Sequence, residues 1–150
     1  MATFENLDAL KGAVGQHLGY GEWIEVTQDR IDKFADATDD HQWIHVDPDA
    51  AAKGPFGATI AHGYLTLSLA SLFLSQRAAV GGISLGINYG VNKARFPAPV
   101  PVGSKVRGGC ELVEVDDIPG GVQAVIRVTI ETEGSEKPAC VVDTVTRYLA

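Results

Sequence analysis

The run Thr38-Asp39-Asp40-His41-Gln42-Trp43-Ile44-His45-Val46-Asp47 places three carboxylates and two histidines within ten residues. A carboxylate can take a proton from water, and imidazole as a class titrates near neutral pH, so the two together are a proton-moving pair. Asp40 and His45 are five positions apart, which on a continuous helix would set them about 140° apart around the axis. To act on one substrate they need a broken, loop-like segment. The acids also follow a predicted helix end, where each opposes the helix dipole at a cost of about 0.3–1 kcal/mol. Stability alone does not select them. Two other readings of the run stand beside this one. It can be a solvated acidic turn with His45 satisfied by the backbone. Alternatively, Asp39, Asp40, His41, His45 and Asp47 can hold a metal, since His41 and His45 share a helix face at i, i+4. That pattern lacks a Glu between the histidines and a third ligand elsewhere, and Trp43 and Ile44 suit a packed segment, so neither a metal nor a cofactor is expected.

The elements that must carry this run follow from periodicity. Asn6 caps a short helix with Leu7, Leu10 and Val14 at helical spacing, weakened by Gly12 and Gly15. Glu22 to Val26 alternates as a strand, and Thr27 caps a helix from Gln28 to Thr38 whose Ile31, Phe34, Ala35 and Thr38 share one face. Asp47-Pro48 starts a further helix that Gly54-Pro55 closes. Gly63 to about Ala79 is predicted as one long helix, apolar nearly all round, in the middle of the fold. Strands are then predicted over 83–96, 104–115, 122–133 and 139–149, joined by Gly and Pro turns. A hydrophobic helix followed by an antiparallel meander is an α+β arrangement, with the sheet wrapped around the helix.

Composition narrows the class of function. The 150 residues carry a net charge of -7 and are 45% hydrophobic, which suits one soluble globular domain over 1–150. Such a length buries roughly 68–70% of the unfolded surface, so disulfides and structural metals are not required. An acidic chain should repel nucleic acid and anionic lipid surfaces, so neither is expected as a partner. The first residues, Met1 to Asp8, show no secretory signal pattern, and the charge-free stretch from Gly54 to Gln76 holds too short an apolar run for a membrane span. A cytoplasmic protein is expected. Cys110 and Cys140 lie far apart with no CxxC spacing, as packing thiols would.

Together, Thr38 to His45, Ala51 and Phe56-Gly57-Ala58-Thr59-Ile60-Ala61-His62-Gly63 resemble the MaoC-like family of (R)-specific enoyl-CoA hydratases, including its NodN-like branch. The resemblance continues through Ile87 to Lys93 and Arg95 to Gly103, so it spans most of the chain. Asp-x4-His with a downstream His-Gly is the specific part. Three positions depart from the family: Asp39 stands where Gly is usual, and Gln42-Trp43 where Asn-Pro is usual.

What the resemblance implies is a hot-dog fold, an antiparallel sheet around a central helix, with two protomers pairing their sheets as a homodimer. By position, Asp40 and His45 match the catalytic pair, Gly63 the residue whose N–H faces the thioester oxygen, and Ser71 a hydroxyl of the family's site. The competing role for Ser71 is a bond to a backbone carbonyl one turn earlier. His62 borders the pocket or is bonded locally at the helix start. The substrate implied is an acyl-CoA or acyl-carrier thioester, hydrated across a trans-2-enoyl bond to a (R)-3-hydroxyacyl product. Asp40 would act as base and His45 would position the water, while the Gly63 N–H adds to the positive end of the helix. Lys93, Arg95, Lys105 and Arg107 are candidates for the anionic part of coenzyme A or ordinary surface charges. The alternatives are a hot-dog thioesterase and a non-catalytic acyl-thioester binding module.

Overall fold

The computed structural model describes residues 1–150. Strand β1 (Ala2–Phe4) leads to α1 (Leu7–Lys11), where the Asn6 side chain accepts the Ala9 N–H at 2.9 Å as the helix cap. Helix α1 stops before Gly12, so Val14 is not part of it and is exposed. Short strands β2 (His17–Tyr20) and β3 (Ile24–Glu25) follow, and α2 (Gln28–Thr38) starts on the Thr27 cap with Ile31 and Ala35 buried. Thr38 turns away from the core and bonds back to the Phe34 carbonyl at 2.8 Å. Next come α3 (Trp43–Val46) and α4 (Pro48–Ala52), the latter capped by Asp47.

The predicted long helix is two segments, α5 (Gly63–Ser68) and α6 (Ala70–Arg77), meeting at Leu69, which stays in the right-handed helical region. Residues 78–80, expected near the helix end, instead form β4 (Ala78–Val80), which pairs in parallel with β1. The helical pair is also not buried all round. Leu65, Leu69, Ala70 and Phe73 face the core, whereas Tyr64, Ser68, Ser71, Leu72 and Ser75 lie on an exposed side.

The four long strands are β5 (Leu85–Arg95), β6 (Lys105–Ile118), β7 (Gly121–Thr132) and β8 (Cys140–Leu149). Val122, Ala124, Ile126, Val128 and Ile130 of β7 all point into the core, as their alternation predicts. Hairpins join β6 to β7 and β7 to β8, but β5 pairs antiparallel with β8, giving the order β2-β6-β7-β8-β5 with β3 also on β6. The expected meander is therefore confined to β6, β7 and β8. Register shifts in β6 near Leu112 and in β5 near Asn88 and Val91 curl the sheet around α5 and α6. Contact is closest at Phe73: a Cβ added to Gly108 of β6 would lie 2.5 Å from its ring. Cys110 and Cys140 are free and buried within this core, and desolvation pushes both thiols up to about 11.

Candidate active site

His45 is held from two directions. Its ring Nδ1 lies 2.7 Å from the Ile60 carbonyl, and Ile60 in turn donates its N–H to the Ile44 carbonyl at 3.0 Å. Gln28, at the start of α2, donates to the His45 main-chain carbonyl at 2.8 Å and accepts the buried Thr59 hydroxyl at 2.5 Å. A carbonyl only accepts, so in the neutral ring His45 carries its proton on Nδ1 and presents Nε2 as a free acceptor. Gln28 and Thr59 escape a reading of the sequence for chemistry, because nothing local distinguishes a helix-start Gln from any other.

Asp40 reaches the same place because the chain reverses just before it. Asp39 closes α2 in the left-handed region at φ 59°, the only non-glycine residue with positive φ. This is the conformation that glycine adopts freely and Asp tolerates better than most, which accounts for Asp standing where the family usually has Gly. The segment is thus broken, as convergence requires. The side-chain ligand atoms of Asp40, His45 and His62 all lie within 4.8 Å of one another. The other two departures are also local. Gln42 and Trp43 occupy the N-cap and first position of α3, where Asn and Pro are favourable; Gln42 makes no cap bond, and the Trp43 ring packs over Gly54.

His62 is buried beside Asp40 and His45, and its ring is not bonded locally at the helix start: Nε2 lies 2.9 Å from the Asp40 carbonyl oxygen. Its ring stacks on His45 with centroids 3.9 Å apart and planes at 24°. Of the five-ligand metal reading, His41 and Asp47 are taken up elsewhere. His41 pairs with Asp36 at 2.9 Å, whose carboxylate raises it above the usual histidine range, and Asp47 accepts the Ala50 N–H as a cap.

Gly63 is the first residue of α5, where helix N–H groups have no partner one turn earlier. It lines a cavity of about 280 Å³ with Ile60, Thr66 and Phe96, and the Phe96 ring sits 3.5 Å from where a Gly63 side chain would begin. Ser71 lies two turns on, about 12 Å along a helix axis, in a second cavity of about 290 Å³ shared with Leu74, Asn88 and Val91. Ser68 and Ser75 bond back to helix carbonyls, but Ser71 accepts the Asn88 side-chain N–H at 3.4 Å. Asp40, His45 and Gly63 therefore gather at one end of the helix, and Ser71 does not join them. Of the four cations singled out, Arg107 is committed to Glu131 and to the Tyr20 and Trp23 rings. Lys93 and Arg95 line a cavity of about 310 Å³ with Arg127 and Asp143, and the two-point Arg127 contact holds the Asp143 carboxyl below the usual range.

A family model described as "MaoC like domain" matches residues 9–134. The chain belongs to the MaoC-like domain family. Among MaoC-like relatives, it is 54% identical over 151 residues to 3-hydroxyacyl-thioester dehydratase Z of Mycobacterium tuberculosis, covering 100% of both chains. Nodulation protein N of Rhizobium leguminosarum bv. viciae is 47% identical over 137 residues, covering 89% of this chain and 84% of the relative. The MaoC-like fold is also that of the (R)-hydratase from A. caviae involved in PHA biosynthesis, with TM-score 0.74, 28% identity, and 89% of this chain and 94% of that one covered. The hot-dog architecture implied by the sequence is the one observed.

Proposed function

We propose that this MaoC-like chain is an (R)-specific hydratase and dehydratase of 3-hydroxyacyl thioesters, with Asp40, His45 and Gly63 as its catalytic groups. One observation supports the assignment of roles: the Ile60 carbonyl takes the Nδ1–H of His45, which leaves Nε2 as an acceptor on a ring that has a nitrogen within 4.8 Å of the Asp40 carboxylate. A water molecule donating to both has an oxygen lone pair left to attack Cβ. As the O–Cβ bond forms, one water proton passes to Asp40 and the π electrons move through Cα to the thioester oxygen. The Gly63 N–H opposes that developing charge, a contribution typically of about 2.7–4 kcal/mol. The enolate then takes its proton at Cα from the same pair, and the reverse sequence is dehydration.

Both transfers come from one face, so addition is expected to be syn with a (R)-3-hydroxyacyl product. Incubation with trans-2-enoyl-CoAs of graded chain length in deuterated water tests this. Loss of enoyl absorbance without free thiol, and a syn-labelled product, are the expected results. Free thiol would establish the thioesterase instead, binding without turnover of the thioesters on coenzyme A and on an acyl carrier alike would establish a binding module, and anti addition would place the two transfers on separate groups. The acyl chain would run toward Ser71 and Asn88, and the carrier of the thioester would be coenzyme A or an acyl carrier. A cytoplasmic setting belongs to the same reading. No helix is long and apolar enough to cross a membrane.

The assembly proposed is a homodimer. Strand β5 is a sheet edge whose Leu85, Ile87, Tyr89 and Val91 are all exposed, and it shares a cavity with the exposed side of α5 and α6. An apolar open edge is a surface that a second copy covers well. Light scattering after size exclusion should give twice the chain mass of 15.9 kDa. A fully active monomer at micromolar concentration would refute it.

A further inference from the structure

The side chain that the reaction does not use is His62, and its surroundings are unusual for a packing residue. It is 2% exposed, wedged between Phe34, at 4.9 Å and 56°, and His45, at 3.9 Å and 24°. Because the Asp40 carbonyl can only accept, the neutral His62 ring carries its proton on Nε2. Its Nδ1 is then a buried acceptor, and it has no partner. An unsatisfied buried nitrogen is a cost that a phenyl ring in the same space avoids. Packing alone therefore gives no reason for histidine here.

The contacts of His62 supply one. Asp40 follows a left-handed residue, is exposed, and its carboxylate has only a long 3.4 Å bond from the Gln42 N–H. The Nε2 bond joins its main chain to an element 22 residues further along. The ring face closes one side of the arc through which His45 could swing about its Ile60 bond. Gly63 is the next residue in the chain. We propose that His62 is a positioning residue, a single side chain that fixes Asp40, His45 and the Gly63 N–H relative to one another. It acts through those three groups and does not touch the thioester. This inference rests on the hydratase reading of the same site.

Two variants separate the bond from the stack. His62→Phe keeps a flat ring against His45 and removes the donor, whereas His62→Gln restores a donor near the Nε2 position without the ring. In His62→Phe, kcat should fall about 10- to 100-fold, as expected when reacting groups are displaced by about 1 Å, with KM changed less than about threefold. Its thermal midpoint should stay close to that of the wild type, because the lost Nε2 bond and the relief of the unsatisfied Nδ1 offset one another. His62→Gln should recover part of kcat. A purely structural histidine gives the opposite pattern, with stability lost and activity falling only in proportion. Wild-type kcat in His62→Phe would overturn the proposal. Parallel assays of the wild type and Asp40→Asn isolate the underlying reading: an inactive wild type removes the hydratase assignment, not the geometry. Long-range proton–nitrogen correlation spectra then decide the geometry alone. His62 should show a protonated Nε2 and a bare Nδ1, and the amides of residues 39–42 should exchange faster in His62→Phe than in His62→Gln. A protonated Nδ1 in the wild type, or equal exchange in the two variants, would refute the positioning role.

Discussion

Asp40→Asn is expected to lower kcat for hydration by about 10²–10⁴-fold, the range over which a positioned acid–base group contributes. The amide is nearly isosteric, and Asp40 is exposed with its carboxylate engaged only by the Gln42 N–H at 3.4 Å. The fold should therefore survive, and far-ultraviolet circular dichroism and the thermal midpoint should match the wild type. His45→Gln should lose activity over a similar range but cost some stability. The imidazole fills a buried site against Ile60 and His62, and a shorter amide cannot reproduce both contacts. Combining the two changes should cost little more than the worse single one, since both act on the same water. Wild-type kcat/KM in either natively folded single variant would dismiss this pair as the catalytic centre.

The largest effect on stability is expected at Phe73, far from that chemistry. Its side chain is fully buried between α6 and the Gly108 backbone of β6. Phe73→Ala should cost about 3–5 kcal/mol through lost burial and the cavity left behind, which for a chain of this size corresponds to roughly 6–20 °C in Tm. Gly108→Ala should cost about 1–3 kcal/mol for the opposite reason, since its methyl group would enter the phenyl ring. Contact between the two sites predicts coupling: the methyl group that Gly108→Ala adds would partly fill the space that Phe73→Ala opens, so the double variant should lose less than the sum. Urea unfolding of the four proteins measures this. Strict additivity would mean that α6 and β6 do not meet where described.

The parts of the molecule that are legible in the sequence are those whose signal is local. The alternation from Val122 to Ile130 fixes which side of β7 faces inward, and Asn6, Thr27 and Asp47 each cap the helix that follows. Asp40 and His45 can be paired by type and spacing because they serve one short run. What escapes depends on distant partners. Strands β1 and β4 are three residues each and exist only because Ala2 to Phe4 meet Ala78 to Val80. Strand β5 is recognisable as a strand, but its place beside β8 is a long-range choice that no turn residue announces. The interruption at Leu69 involves neither Gly nor Pro, so periodicity runs straight through it. His62 is conspicuous for its place before Gly63, yet its partners, Asp40 and His45, come from two other stretches of the chain.

The left-handed Asp39 bears on how distant relatives of this chain are to be sought. A search pattern that demands glycine there tests residue identity, whereas the site depends on a backbone angle: φ of 59° turns the chain so that Asp40 leaves α2 toward His45. Gly, Asn and Asp all satisfy that demand at modest cost, while a β-branched residue does not. Exchange among the three is therefore expected to leave the proposed reaction nearly unchanged, and Asp39→Val or Asp39→Ile is expected to disturb the geometry even with both proposed catalytic residues in place. Sorting homologues by whether this position tolerates positive φ should separate working enzymes from lapsed ones better than the motif's letters do.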